Sequence, residues 1–474
     1  MRYVPRQQLI LIIASISVFF EALDIAIINL TMPLIQRGFG LTANSVQWLQ
    51  TLYVLLYGGL LILGGRLADT VGRKRVFLTA SGLFLLTSLG AGLAPSFGWL
   101  LFFRGLQGVA AALLMPSALS IVTNAFTDAA ARSRAIGVVS AFAAIGSGSG
   151  LSVGGLIASG FGWQWVFFIN VPVILLTLGL AYRYIPDDAP QHSTPPDVGS
   201  GLLLTGLITA LSYVVHELGN WRTHGGLLVG LTLIVGVGSY FFLKRNATQP
   251  VPLIDFAILR PALTGIGVYV CLGASFTGFL FLISLILQND RGLSAAQAGL
   301  MLLPFSVLSA ITGKVFIPAL LKRFSVRQIA LMGMISLTVS ALFLLFSAQS
   351  GSDSHLPLLL AMTCANGLGI ALAYSGLTVL SIQGIAEAHH GLVSGVATTA
   401  YFFGGGLGLS LLSLFLGSGL AGEPVVGVGS LLLFGMYGGI GVTWLLVTNA
   451  LTHSKGIRDT TESPQHLPSS RAGQ

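Results

Sequence analysis

The amino-acid sequence predicts an all-α integral membrane protein that crosses the bilayer fourteen times, and three observations lead there. Of its 474 residues, 54% are hydrophobic and 8% are charged, too few charges to cover a soluble protein. Fourteen apolar stretches fill the chain almost end to end, each near the ~20 residues that a helix needs to cross the hydrocarbon layer. Lysine and arginine gather in alternate connections, as they do on the cytoplasmic side of a membrane. Barrel strands are excluded because they would alternate in short segments of about 10 residues.

The first span, near 9–31, follows Arg2 and Arg6 and carries Glu21 and Asp24. Its apolar stretch is too long for a signal sequence, bears two acids and lacks a small-residue cleavage site, so it reads as a retained helix. The second, 46–66, runs into a basic loop, and 76–94 returns from it. The fourth, 99–123, opens at Trp99 and contains Arg104. Spans 133–157 and 163–185 complete a first group of six. A polar, proline-rich connection, 186–197, reads as a linker. Two further spans, 198–217 and 224–243, precede a segment, 244–261, that reads as lying along the membrane surface. A second group of six follows near 262–287, 296–318, 326–347, 356–379, 391–417 and 426–448, with Lys314 inside one of them. From 449 onward the chain is a polar tail, read as disordered. The organisation is thus 1–185, 186–261, 262–448 and 449–474.

With the N-terminus in the cytoplasm, only Arg37, Arg222 and Arg291 fall on the outer side, and Arg104 and Lys314 inside spans; every other Lys or Arg is cytoplasmic. Both termini then face the cytoplasm, and a plasma membrane location follows. The net charge of +8 sits where anionic lipid would meet it, so it does not indicate nucleic acid. Cys271 and Cys364 lie within spans and offer no disulfide framework. Glycine, at 61 residues, suits close helix packing more than loops.

The loop GGRLADTVGRKR at 64–75 carries an ordered motif in Gly65, Leu67, Ala68, Asp69, Gly72, Arg73, Lys74 and Arg75. It resembles the signature loop between helices two and three of the major facilitator superfamily. Glycine permits a tight turn there, and the basic cluster holds the loop in the cytoplasm. Further matches resemble the fourteen-span drug:proton antiporter branch. They are LDIAIINLTMP at 23–33, with Asp24, Asn29 and Pro33; LLFFRGLQGVAAA at 100–112, with Arg104, Gln107 and Gly108; and FGWQWVFFINVP at 161–172, with Gln164 where arginine is usual. GSGSGLSVGG at 146–155 is similar to the branch's antiporter motif and keeps Gly146, Gly150, Gly154 and Gly155, with Leu151 in place of proline. The counterpart loop ALLKRFSVR at 319–327 keeps only the basic residues.

The resemblance implies a major facilitator fold of two six-helix bundles plus two inserted helices. It implies a conformational latch at Gly65, Asp69, Gly72, Arg73, Lys74 and Arg75, no cofactor beyond a proton gradient, and function as a monomer that handles small molecules and protons in the lipid bilayer.

Depth carries a reading of its own. Glu21 and Asp24 are one turn apart and share a helix face. At 1.5 Å per residue, Asp24 lies about 8 Å from the outer edge of a ~30 Å core, and Arg104, entering from the outside, about 7.5 Å deep. The coincidence suggests that Arg104 neutralises one carboxylate and leaves the other free for a proton or a cation. A static ion pair is the alternative. Lys314, about 12 Å from the cytoplasmic side, either attracts anionic groups, occupies a cation site, or snorkels to the interface.

Trp48, Tyr53, Tyr57, Phe276, Phe279, Asn366, Tyr374, Tyr401 and Phe402 are candidates to line a broad cavity. His216, Glu217 and His224 read as solvated, and no metal-ligand spacing, nucleophile elbow or phosphate loop is present. The expectation is therefore a non-enzymatic transporter that exports amphipathic or cationic compounds against proton entry. Transport of lipids or anionic metabolites is the first alternative, and a non-transporting receptor or scaffold the second.

Overall fold

The computed structural model describes residues 5–188, 197–249, 252–349, 355–386, 389–416 and 425–461. Apart from an isolated antiparallel bridge between Leu416 and Val426, the described residues hold no strand. Among the described residues, thirteen helical stretches are long and apolar enough to cross a membrane. One of them, Val198–Thr248, has 51 residues. At 1.5 Å per residue it would measure about 76 Å, more than twice the ~30 Å hydrocarbon core. It holds two helices that pack on each other across a 3₁₀ turn at Leu218–Asn220.

The helices in chain order are α1 (Pro5–Phe39), α2 (Trp48–Val71), α3 (Arg73–Gly92), α4 (Phe97–Ala125), α5 (Ala129–Phe161), α6 (Trp165–Tyr184), α7 (Val198–Glu217) and α8 (Trp221–Thr248). They continue with α9 (Leu263–Leu285), α10 (Ala295–Leu320), α11 (Val326–Gln349), α12 (Leu356–Ile382), α13 (His390–Ser413) and α14 (Val428–Thr461). The polar stretch from 449 therefore begins as a continuation of α14 and not as a disordered tail; 462–474 lie outside the described residues. Of the linker read at 186–197, residues 189–196 likewise lie outside them.

The first six helices pack among themselves, chiefly α1 on α5, α2 and α3 on α4, and α3 on α6. The last six do the same, with α9 against α13 and α14, and α11 against α12 and α14. Two seams join the halves, α5 with α10 and α2 with α13. Inserted helix α7 lies against both α2 and α13, whereas α8 packs chiefly on α7 and keeps most of its surface exposed. At the start of α7, Asp197 caps Ser200 N at 3.0 Å and accepts from Arg245 of α8 at 2.8 and 3.1 Å. Arg245 holds that carboxyl well below its ordinary range.

The seams close at the end opposite the basic loops, and one parts below. On α5 the line of contact runs from Gly155, against Ala295 O, through Ser152, which donates to Gly299 O at 2.8 Å, to Gly148 beside Ser306. The next positions down the same faces, Ala144, Ala141 and Gly137 on α5 and Ala310 and Gly313 on α10, are exposed. Nothing stands within 4 Å of a side chain built at Gly137 or Gly313. On α13, exposed Gly391 and Ser394 and half-buried Thr398 continue as a polar stripe toward the basic end. Thr398 Oγ1 donates to Ser394 O at 2.8 Å, and an exposed serine on a spanning helix calls for water, so these faces part toward that end.

Candidate functional site: a buried ion pair and an aromatic chain

Helix α1 is 35 residues long and brings Asp24 to the centre of the first half. Asp24 and Arg104 are both fully buried, with Asp24 Oδ2 2.6 Å from Arg104 Nη1. Asn170 of α6 donates to Asp24 Oδ1 at 2.8 Å. Arg104 Nη1 also donates to Gln107 Oε1 at 3.0 Å, and Gln107 Nε2 donates to Ser88 Oγ of α3 at 2.8 Å. The guanidinium carbon stands 4.2 Å over the Tyr53 ring of α2, a cation–π contact. Five helices thus meet on one charge pair. Its burial is sustainable because both ions are paired and hydrogen-bonded.

Glu21, one turn earlier, is 3% exposed and has no basic partner among the described residues; its Oε1 accepts no hydrogen bond. The Tyr57 hydroxyl faces it. The two acids are therefore unequal, one held by Arg104 and one not.

From Arg104 a continuous run of rings crosses into the second half. Tyr53 stands 6.1 Å from Tyr57, Tyr57 4.4 Å from Phe402 of α13, Phe402 5.3 Å from Tyr401, and Tyr401 6.0 Å from Tyr374 of α12. Tyr269 of α9 follows at 5.6 Å and shares its hydroxyl with Thr378 Oγ1 at 2.7 Å. Tyr374 is 40% exposed, above the polar stripe of α13. Five of the residues expected to line a cavity therefore stand together.

The others do not. Phe279 is fully buried against Phe434 and belongs to the core, because its face of α9 packs on α14. Phe276 is half-buried on the same helix. Trp48 stands at the end opposite the basic loops, against Tyr213 and His216 of α7. Asn366 is buried and donates to Ser306 Oγ at 3.2 Å, at the parting seam. Lys314 is exposed on a π turn at Thr312–Phe316, within α10. His216 is buried and not solvated, since α7 packs it between the halves.

Several motif residues acquire physical roles. Pro33 has no N–H to give Asn29 O four residues earlier. The Ser284 hydroxyl of α9 donates to that carbonyl at 2.6 Å, tying the halves at the end opposite the basic loops. Beside it, Gln288 donates to Leu30 O at 3.0 Å and Arg37 to Gln288 O at 3.2 Å. On α5, a Cβ at Gly146 would lie 2.3 Å from Phe19 O, at Gly150 2.8 Å from Leu23 O, and at Gly154 2.4 Å from Ile27. These glycines let α5 ride on the segment of α1 that carries the acids. Gly155 faces the other way, to Ala295.

In the loop 64–75, Gly72 turns at φ +110°, and Gly65 sits above Pro116. Asp69 pairs within the loop to Arg73 at 3.6 Å. Asp188 accepts from Arg73 N at 2.8 Å and Lys74 N at 3.2 Å, capping α3, and Asp187 pairs with Lys74 at 2.9 Å. Arg75 is exposed. The sequence reading missed Asn170, Ser88, Tyr269, Asp187 and Asp188. Only Asn170 carried a signal, since it lies in the motif at 161–172.

The family model of the Major Facilitator Superfamily matches residues 14–409. The chain is 31% identical over 422 residues to the multidrug resistance protein Stp of Mycobacterium tuberculosis, across 88% of this chain and 77% of that one. It is 32% identical over 395 residues to the lincomycin resistance protein of Streptomyces lincolnensis, across 82% of this chain and 80% of the other. Among solved structures, the POT family transporter PepTSo superposes with a TM-score of 0.68 at 15% identity, over 96% of this chain and 99% of that chain.

Proposed function

Because the chain belongs to the Major Facilitator Superfamily, it is a multi-pass membrane transporter and not an enzyme, and from that premise we infer that it exports amphipathic or cationic drug-like compounds in exchange for protons. Relatives named for multidrug and lincomycin resistance support the direction and the class of cargo. The observation that carries the coupling is the fully buried Asp24–Arg104 pair, set beside the unpaired Glu21 and joined by rings to a space open at the basic end.

The hairpin of α7 and α8 supports a fourteen-span path in which 1–185 and 262–448 form two bundles and 186–261 the inserted segment. The bias of Lys and Arg supports a cytoplasmic location for the basic end and both termini. A cell plasma membrane and a monomer complete the reading. Cargo enters from the cytoplasm and meets Tyr374, Tyr401, Phe402 and Tyr57. A proton at Asp24 removes the charge that Arg104 and Asn170 hold, so α1, α4 and α6 lose a common tie and the bundles rock. Return of the ion pair expels the proton inward. Such coupling between two ligands is typically worth about 1–3 kcal/mol.

The test is proton release from purified protein when a cationic drug is added, alongside gradient-driven efflux in vesicles. Asp24→Asn is expected to abolish both while leaving drug binding measurable. Unchanged efflux would remove Asp24 from the mechanism.

A further inference from the structure

Inserted helix α7 lies in the groove between α2 and α13, and so touches both halves of the molecule. Near its outer end, Ser212 Oγ meets Ser410 Oγ of α13 at 2.7 Å. One turn later His216 is 4% exposed. Its Nδ1 lies 3.0 Å from Nε2 of Gln47, the residue that leads into α2, and 3.1 Å from Ser413 Oγ of α13. The Trp48 ring stands edge-on to the imidazole at 5.0 Å. Gln47 Nε2 also donates to Leu409 O of α13 at 3.1 Å. One amide therefore joins α2, α7 and α13.

The hydrogens can be placed by counting donors. The amide nitrogen has two, one for Leu409 O and one for Nδ1, so Nδ1 is the lone-pair nitrogen and the neutral ring carries its proton on Nε2. The Ser413 hydroxyl gives its one hydrogen to Ser410 O at 2.6 Å, which leaves its oxygen facing Nδ1 as an acceptor. A proton on Nδ1 would set N–H against N–H at Gln47 and give Ser413 the donor it lacks. The tie to the first half is lost and the tie to the second is gained.

We propose that His216 is a second proton site, apart from the Asp24 network, whose occupation releases Gln47 and loosens the closure of the outer end. On its own helix the neighbouring charged group is Glu217, held by Asn220 at 2.9 Å and by His224 of α8 at 3.0 Å. Tyr213 stands against Trp48. From α2 the facing groups are Gln47 and Trp48, and from α13 Leu409, Ser410 and Ser413, none of which carries a charge. The inference rests on the transport reading for its consequence alone: protons arriving outside would favour the state that releases cargo there.

Spin labels at Ser96→Cys and Val428→Cys, one on each half at the outer end, report the closure in a chain carrying Cys271→Ala and Cys364→Ala. Distances are read in lipid nanodiscs at about pH 3.5 and about pH 8, a span wide enough to protonate a buried imidazole. An Asp24→Asn background removes the carboxylate of the proposed coupling site. Acid is expected to add a longer-distance population there, and His216→Asn to abolish the shift. Gln47→Leu, which breaks the tie without a proton, is expected to show the longer population at both pH values. A shift that survives His216→Asn, or no shift in the Asp24→Asn chain, overturns the proposal. Efflux that persists in Asp24→Asn would overturn the transport reading and leave this result standing.

Discussion

Arg104 shows how much one side chain can hold at the residue scale, since it meets Asp24, Gln107 and the Tyr53 ring with no exposure of its own. Removing one partner of a buried pair leaves an uncompensated charge and costs about 3–5 kcal/mol, more than the pair itself contributes over neutral groups. Arg104→Gln is therefore expected to lower stability by about that amount in thermal unfolding in detergent. Adding Asp24→Asn should recover most of the loss, and a double variant as unstable as the single one would show that Arg104 serves something other than Asp24. Both residues were legible in the sequence, because a charge in an apolar helix is conspicuous and the helix rise converts its position into depth. Asn170 and Ser88 were not, since neutral polar residues are common in such helices. Phe279 was misplaced because period and composition do not say which face of α9 meets another helix.

At the scale of elements, glycine in α5 is a matter of contact distance. Gly146, Gly150 and Gly154 admit the backbone of α1, and the first of them leaves a Cβ only 2.3 Å from Phe19 O. A backbone carbonyl cannot turn aside as a side chain can. Gly146→Ala is expected to cost about 1–3 kcal/mol through forced separation of α1 and α5. Gly137→Ala on the same helix, with open space around it, should be neutral or gain up to about 1 kcal/mol from helix propensity. Equal effects in the unfolding midpoints would refute the contact argument. The glycine pattern was plain in the sequence, but the helix it serves was not. The loop at 64–75 was equally plain, whereas its acidic partners Asp187 and Asp188 were hidden in what read as a polar, proline-rich linker. Capping depends on where the chain returns, and a local motif does not record that.

The whole molecule is closed at one end by ties that cross the halves, at Ser284, Gln288, Ser152, Gly155 and Gln47. Gly155 is the tightest of these on α5, since a Cβ there would stand 2.0 Å from Ala295 O. Gly155→Ala is expected to disfavour the outer closure specifically, and the spin-label pair at the outer end should show a longer population at neutral pH. An unchanged distance distribution would mean that the seam has slack that the contact distances do not reveal.

The sequence by itself determined the membrane class, the approximate spans, the bias of charge between the two ends, and the matching level of Asp24 and Arg104 along their helices. Each of these follows from composition or from the regular rise of one helix, which are local properties. Only the tertiary structure decided that Arg104 takes Asp24 and leaves Glu21, that rings from α2, α12 and α13 join across the halves, and that α7 wedges a buried His216 between them. Those outcomes depend on the rotation of each helix about its axis and on the separation of its neighbours. Nearly uniform apolar helices leave both unstated, because every face can meet lipid or another helix at similar cost.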